Sequence, residues 1–260
     1  MDDARYRREA AFHDAVFAEQ GRQRADKFYE ITHSSSKAFY RQYLAAHCEG
    51  KRVLEYGCGA DSHGAFLAAR GSRVTSIDLS PVAVSINRNR ARSEGGAIPE
   101  FCVMNAESLA LADNTLDLIC GNGILHHLSL DSAYRELARV LKPEGSAIFL
   151  EPLGHNPLIN LYRKLTPSLR TPDEHPLLAT DLARAQDHFS SAGITYFHLT
   201  TLAAVPLAGK PGYSAILGAL ERLDKTLFRN LPGLRKHAWA AAIVLLHPCK
   251  RQTAPGCQGV

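Results

Sequence analysis

The sequence shows no long apolar run, no signal-peptide pattern in its first residues and no paired cysteines. Its longest apolar run, Ala238 to Leu246, is far shorter than the roughly 18 residues that a membrane-spanning helix needs. The opening stretch MDDARYRREAAFHDAVF is charged throughout and has no signal-peptide core. The six cysteines form no CxxC pair and no metal-ligand spacing, which favours buried thiols in a reducing compartment. These absences predict a cytoplasmic protein without a membrane span.

The sequence also has only a small excess of positive over negative charge. The formal net charge is only +4, and the densest basic cluster, Arg88, Arg90 and Arg92, lies on a predicted solvated helix face. A nucleic-acid partner is therefore not expected. Hydrophobic residues make up 45% of the 260 residues, which is sufficient for a substantial core. The composition predicts a globular protein that acts on something other than a polyanion.

Strands and helices alternate from residue 52 onward. The apolar runs predict strands at 52–56, 73–77, 100–104, 115–121 and 146–151, with helices at 63–70, 81–93 and 130–141 between them. This alternation is typical of an α/β fold whose parallel sheet carries helices on both faces. A helix near 180–192, a strand at 194–200, a helix at 213–229 and a strand at 239–247 follow, which suggests a hairpin at the sheet edge.

The predictions divide the chain into four parts, of which residues 50–152 contain most of this alternation. Predicted helices at 3–25 and 36–48 make residues 1–49 an N-terminal helical cap or substrate lid. Residues 50–152 form the ligand-binding core, and the proline-rich stretch 153–178 is an insertion or lid because it is too long for a plain connection. Residues 179–260 complete the core's domain.

The stretch RVLEYGCG marks the ligand site of the sheet. Gly57 and Gly59 follow the first strand, where an open α/β sheet binds its ligand. Asp78 ends the next strand, nineteen residues after Gly59, and can accept hydrogen bonds from two ribose hydroxyls. At this point NAD and S-adenosylmethionine fit equally well.

Three features favour S-adenosylmethionine. The third glycine of the dinucleotide fingerprint is replaced by Ser62. Glu55, just before the turn, would repel a pyrophosphate but suits an ammonium group and a sulfonium charge. The segment after strand three supplies groups for an adenine ring. The residues predicted around that ring are Leu79, Asn105, Ala106 and Glu107.

The motifs VLEYGCG, SIDLSP, NAESLALADNTLDLI, GNGILHHL and ELARVLKPEGSAIFLEP, in this order, resemble those of class I S-adenosylmethionine-dependent methyltransferases of the UbiE-like branch. The resemblance implies a Rossmann-like, mostly parallel seven-stranded sheet with an antiparallel last strand. It also implies S-adenosyl-L-homocysteine as product. The cofactor contacts it implies are Glu55, Gly57, Cys58, Gly59 and Gly121 at the methionine end, Asp78 at the ribose, and Asn105 to Glu107 at the adenine. The chain departs from the pattern at Asp61 and Asn105, where glycine and aspartate are usual.

The predicted catalytic residues are His126, His127 and Glu151. The histidines follow strand four, above the expected methyl group, and one of them can serve as a general base because imidazole titrates near neutral pH. Since they are consecutive, only one can fully face the acceptor. Glu151 ends strand five and can orient a histidine or bind the acceptor. Family members with small-molecule acceptors use these positions in the same way.

The acceptor is predicted to be small. The sequence GNGI after strand four lacks both the Asp/Asn-Pro-Pro-aromatic run of amino-methylating DNA enzymes and a Pro-Cys nucleophile. Gly123 replaces the glutamate of a known metal-dependent pattern, so no metal of that type is expected. A secondary metabolite, isoprenoid, aromatic compound or sugar remains, and O-, N- and C-methylation stay open. The residues predicted to contact it are Tyr29, His33, His155 and Asn156.

Two other functions remain open, an NAD-dependent oxidoreductase and an inactive, cofactor-binding partner subunit. Apolar residues at helical spacing also predict a homodimer or larger homo-oligomer. These residues are Ala11, Phe12, Ala15 and Val16 in the first helix, and Leu158, Ile159, Leu161 and Leu165 in the insertion.

Overall fold

The computed structural model describes residues 3–18, 35–167, 171 and 174–250, and its centre is a seven-stranded sheet. The strands are β1 (Arg52–Tyr56), β2 (Arg73–Asp78), β3 (Glu100–Val103), β4 (Leu116–Asn122), β5 (Leu141–Pro152), β6 (Phe189–Phe197) and β7 (Ala240–Pro248). Their order is β3-β2-β1-β4-β5-β7-β6, and β7 pairs antiparallel with both neighbours, whereas the pairs from β3 to β5 are parallel. The predicted Rossmann-like sheet with an antiparallel last strand is confirmed.

Helices connect the strands and lie on both faces of the sheet. They are α1 (Asp3–Ala18), α2 (Ser36–His47), α3 (Gly64–Ala68), α4 (Pro81–Glu94), α5 (Leu130–Val140), α6 (Pro157–Leu165), α7 (Ala179–Arg184) and α8 (Tyr213–Asn230). Short 3-10 helices occupy Leu125–His127, Ala185–Asp187, Thr200–Leu207 and Pro232–His237. None of the described helices is long and apolar enough to cross a membrane.

The hydrophobic core consists of two main clusters, one on each face of the sheet, because the central strands are buried on both sides. In β1, Val53 belongs to a cluster with Leu44 of α2, while its neighbour Leu54 belongs to the opposite cluster with Leu137 of α5. All four side chains are almost fully buried. Strands of a parallel sheet covered by helices on both faces have this near-continuous apolar character. The core therefore fixes the strand ends that form the ligand site.

The segment before β6 differs from the predicted helix at 180–192. The helix α7 ends at Arg184, and β6 begins at Phe189, five residues before the predicted strand. Phe189 is fully buried, and the strand from there to Phe197 pairs with β7. Pairing with a central apolar strand outweighs the local helical pattern of this segment.

The N-terminal helix covers the open end of the sheet near β2. It is described from Asp3 to Ala18. The remainder of the predicted helix and the predicted contacts Tyr29 and His33 lie outside the described residues. Asp14 Oδ1 accepts hydrogen bonds from the Ser80 hydroxyl and, at 3.4 Å, from Val82 N. A carboxylate at this position also interacts favourably with the N-terminus of α4. These contacts place α1 directly over the predicted adenosine site.

Candidate active site

One large cavity opens at the carboxyl ends of β1, β2, β4 and β5. Its volume is about 1400 Å³, larger than the roughly 300–1,000 Å³ of a typical pocket for one ligand. It lies at the switch point of the strand order, between β1 and β4, where open α/β sheets bind ligands. The predicted site residues that line it are Glu55, Gly57, Cys58, Gly59, Asp78, Leu79, Asn105, Ala106, Glu107, Gly121, His126, His127 and Glu151.

The turn after β1 is held by backbone hydrogen bonds to β2 and by a buried carboxylate. The amides of Gly57 and Cys58 both donate to Ile77 O, at 3.0 and 2.8 Å. Glu55 is 3% exposed and accepts hydrogen bonds from the Ser62 hydroxyl, from His63 N and, at 2.6 Å, from the Ser76 hydroxyl. The carboxylate therefore organises the turn from which the cavity wall is built.

Gly57 cannot be replaced without strain. Its φ is +78°, and a Cβ atom would lie 2.8 Å from Ile124 Cγ1. We expect Gly57→Ala to lower the free energy of unfolding by about 2–4 kcal/mol, because left-handed strain and overpacking add. Gly50→Ala is the matched control, since Gly50 has φ +69° and open space around it, and should cost about 1 kcal/mol. If urea unfolding gave the same loss of unfolding free energy for the two variants, the packing argument would be contradicted.

Asp78 is poised to bind a hydroxyl donor. Its Oδ2 accepts from Gly59 N at 2.8 Å, and its Oδ1 accepts from Ser80 N at 2.9 Å. Burial raises the pKa of the Asp78 carboxyl, although these amide hydrogen bonds oppose the rise. The amides fix the orientation of the carboxylate and leave lone pairs directed at the cavity. A ribose diol would supply the donors that this desolvated group lacks.

The predicted adenine segment is tied to the rest of the site. Glu107 N donates to Asn105 Oδ1 at 2.9 Å, and the Tyr56 hydroxyl donates to Ala106 O. The Glu107 carboxylate is bound by Arg5, by the Tyr6 hydroxyl at 3.1 Å and by a backbone amide of the loop after β4. Glu107 therefore connects α1 to this wall, and its predicted contact with the adenine stays a prediction.

Gly121 lets β4 approach the cavity closely. A Cβ atom there would lie 2.8 Å from Ile124 Cγ2 and 2.8 Å from Phe149 Cδ1. The residue is buried within the strand, so its backbone alone forms this part of the wall. This geometry agrees with the expectation that residue 121 presents backbone to the methionine end of a cofactor.

His126 and Glu151 form a buried dyad. Glu151 is 1% exposed, and its Oε1 accepts from the amides of Ile124 and Leu125, both at 2.9 Å. Its Oε2 lies 2.8 Å from His126 Nδ1. The carboxylate accepts the Nδ1 proton, which leaves Nε2 as an acceptor on the cavity side. Glu174 Oε1 lies 3.9 Å from that Nε2. The Nε2 of His126 therefore lies on the cavity side of the dyad.

His127 turns toward α1. Its Nδ1 lies 3.3 Å from Glu9 Oε2, and its ring centroid is 5.2 Å from that of His13. Burial lowers the pKa of His127, with Glu9 acting in the opposite direction. His126 is hydrogen-bonded toward β5 and His127 approaches the N-terminal helix, but the two rings do not diverge, because their centroids are only 4.2 Å apart.

His155 and Asn156 do not line this cavity, so the prediction that they contact the acceptor is not supported. Asn156 Oδ1 accepts from the amides of Leu158 and Ile159, and its amide group donates to His237 O at 2.7 Å. It is the N-cap of α6. His155 Nε2 accepts from a backbone amide of α7 and lines a separate cavity of about 190 Å³. Both side chains are used in the packing of the insertion.

The cavity also contains residues that the sequence patterns do not single out. They are Glu9, His13, Glu174 and Trp239. The spacing of Glu9 and His13, one helical turn apart in EAAFH, is the only local signal for the first two. The other two come from the insertion and from the segment before β7, whose approach to the cavity depends on tertiary packing.

A family comparison identifies the central part of this site. Residues 54–149 match the family model described as a methyltransferase domain. This match supports the predicted class I methyltransferase family for that part of the chain. The matched stretch contains β1 to β5 and most of the cavity residues above. The predicted family and its cofactor, S-adenosylmethionine, are thereby confirmed.

Curated relatives cover varying parts of the domain. Methyltransferase GfsG of Streptomyces halstedii is 28% identical over 200 residues, 73% of this chain and 68% of the relative. The ubiquinone/menaquinone biosynthesis C-methyltransferase UbiE of Rubrivivax gelatinosus is 35% identical over 109 residues, 42% of each chain. The chain spans about half the length of most of the curated relatives that it matches.

Solved structures share the fold. The geranyl diphosphate C-methyltransferase of Streptomyces coelicolor, solved with Mg²⁺, geranyl diphosphate and S-adenosyl-L-homocysteine, has a TM-score of 0.58. It is 15% identical, and the match covers 81% of this chain and 80% of that one. At this identity the likeness establishes the common fold and no more.

Proposed function

We propose that this protein transfers the methyl group of S-adenosylmethionine to a hydroxyl oxygen of a small organic acceptor, with His126 as the general base. The observation that supports this most directly is the His126–Glu151 dyad in the wall of the cofactor cavity. A carboxylate-bound imidazole with a free Nε2 is suited to accept a proton from a hydroxyl group. Amine and carbon acceptors depend less on a general base than a hydroxyl group does.

The cofactor would occupy the side of the cavity formed by β1 and β2. Asp78 would bind the ribose hydroxyls, Leu79 and Ala106 would enclose the adenine, and the turn at Gly57 with Gly121 would border the methionine moiety. This arrangement leaves the sulfonium group near the carboxyl end of β4. His126 stands at that same strand end, so the methyl group and the base would share one region of the cavity.

The transfer itself is an in-line displacement. The acceptor oxygen forms a bond to the methyl carbon while the carbon–sulfur bond breaks and its electron pair returns to sulfur. The hydroxyl proton passes to His126 Nε2, and S-adenosyl-L-homocysteine leaves as product. Because the cofactor supplies the leaving group, the chain contributes position, the base and exclusion of water. Glu151 stabilises the imidazolium that forms.

The acceptor would lie on the β5 side, under the insertion. Ile159, Tyr162 and Trp239 supply apolar and aromatic surface there, while Glu174 supplies a carboxylate. We propose that residues 1–49 and 153–178 act as the lid of the core at 50–152, and that 179–260 complete the same domain. The surface suits an aromatic or isoprenoid acceptor with one polar end.

Isotope transfer tests this function. The protein is incubated with a metabolite extract and S-adenosylmethionine that carries a ¹³C-labelled methyl group, and the products are analysed by mass spectrometry. We expect one labelled small molecule whose label is an O-methyl group by NMR. Label on nitrogen or carbon would contradict the hydroxyl acceptor. Cofactor binding without labelling of any product would favour the inactive partner subunit instead.

We also infer that the protein forms a homodimer or larger assembly. Helix α6 exposes Leu158, Leu161 and Leu165, with Leu165 72% exposed, whereas Ile159 of the same helix is buried. Such apolar surface is removed from water when two subunits associate. Light scattering should therefore give a mass above the 28.4 kDa of one chain. A monomer at high concentration would contradict this inference.

A further inference from the structure

A second cluster of ionisable groups lies in the cavity, beneath α1. Glu9 and His13 are one turn apart on this helix, and His127 meets them from the loop after β4. Glu9 Oε2 lies 3.4 Å from His13 Nε2 and 3.3 Å from His127 Nδ1. One ligand atom from each residue lies within 4.8 Å of the others. The proposed methyl transfer gives none of these three groups a task.

Polar atoms of this cluster are buried and poorly satisfied. Glu9 is 5% exposed, and neither of its carboxylate oxygens makes a hydrogen bond of good geometry within the described part of the chain. The same holds for His13 Nδ1 and His127 Nδ1. A buried carboxylate in this condition is costly unless a charge compensates it. A cation between the three groups would provide that compensation.

The separations and the donor types fit a transition-metal ion. Ligands of a tetrahedral Zn²⁺ site, with bonds of about 2.0–2.1 Å, lie roughly 3.3 Å apart. The two Glu9 distances match that edge length. Imidazole nitrogen with one carboxylate is a donor set for Zn²⁺ and its neighbours, whereas Mg²⁺ and Ca²⁺ take oxygen ligands.

We propose that Glu9, His13 and His127 bind a divalent transition-metal ion of the Zn²⁺ type, with an open coordination position toward the cavity. Three protein ligands leave a fourth position for water or substrate. His126 and Glu174 form a second group that shares His127, so the open position adjoins the base. An acceptor oxygen bound to the ion would be held beside His126 and made more acidic. This role rests on the proposed function, but binding of the ion does not.

Metal binding can be measured without acceptor or methyl transfer. Untagged protein is stripped with chelator, dialysed against Zn²⁺, and analysed for metal and protein. We expect one Zn²⁺ per wild-type chain and a higher melting temperature, since a ligand that binds only the folded state stabilises it. Co²⁺ should give the visible absorption of a four-coordinate complex. A millimolar excess of Mg²⁺ should not displace it.

Two variants and a control locate the site. Glu9→Gln keeps the shape of the side chain, and His13→Ala removes one ligand. Each substitution should weaken Zn²⁺ binding by more than about 100-fold. This is more than the loss expected when a residue that only hydrogen-bonds to a metal ligand is removed. His47→Ala is the control, because His47 is exposed on α2 and stacks on Tyr43. A far-UV circular dichroism spectrum and a urea unfolding midpoint that match the metal-free wild type show that each variant is folded. Absence of wild-type Zn²⁺ binding, displacement by Mg²⁺, or undiminished binding in both variants would overturn the proposal.

Discussion

Replacement of His126 by alanine is expected to lower kcat by about 10²–10⁴-fold while the affinity for S-adenosyl-L-homocysteine changes little. The imidazole is held by Glu151 at 2.8 Å and is 7% exposed, and its removal takes away the nitrogen that would accept the proton. The measurement is a pH–rate profile with saturating cofactor and the native acceptor.

Glu151→Gln tests the role of Glu151 in orienting His126 while the imidazole itself is kept. A glutamine can still accept from the amides of Ile124 and Leu125 with its oxygen, but its NH₂ group would face His126 Nδ1. The imidazole would then carry its proton on Nε2, where it cannot act as a base. We expect kcat to fall and the pH dependence to change, with cofactor affinity retained. His47→Ala should behave as wild type. If His126→Ala keeps full kcat and the wild-type pH inflection, His126 is not the base.

Loss of the Asp78 carboxylate should have the largest effect on cofactor binding. We expect Asp78→Ala to weaken S-adenosylmethionine binding by about 2–4 kcal/mol, or roughly 30- to 1,000-fold. The variant removes a charge-assisted hydrogen-bond acceptor and leaves the ribose hydroxyls without their partner. It also removes the acceptor of the Gly59 and Ser80 amides, which loosens the turn. Calorimetric titration measures the change directly.

The control for this prediction is a carboxylate outside the cavity. Asp187 is exposed at the end of a short 3-10 helix, and Asp187→Ala should leave the dissociation constant unchanged. Asp78→Asn should give an intermediate loss, because the amide keeps one acceptor oxygen but no charge. A near wild-type dissociation constant for Asp78→Ala would place the ribose elsewhere in the cavity.

The parts of the site close to the strand ends could be predicted from sequence because local patterns encode them. The glycines at 57 and 59, Asp78 and the histidine pair each follow an apolar strand, and parallel strands bring their carboxyl ends to one edge. The same reasoning failed at Asn156, which also follows a strand end. Its side chain caps α6 instead, since asparagine is a preferred N-cap residue. Proximity in sequence could not distinguish the two roles.

Other parts of the cavity depend on contacts that no local pattern reveals. Glu9 and His127 are far apart in sequence, and only the packing of α1 across the sheet ends brings their polar atoms together. Glu107 shows a similar case, because Arg5 and Tyr6 of the same helix bind its carboxylate and no local pattern reveals these contacts. The N-terminal helix therefore contacts residues that the core motifs predict, which makes it part of the cavity.

A crystal structure with S-adenosyl-L-homocysteine bound tests the central claim, that one cavity holds the cofactor and presents its sulfur to His126. The account predicts the ribose hydroxyls on Asp78, the adenine between Leu79 and Ala106, and the sulfur directed at the side of the cavity where His126 Nε2 is exposed. An adenosine bound away from Asp78, or a sulfur directed away from His126, would contradict it.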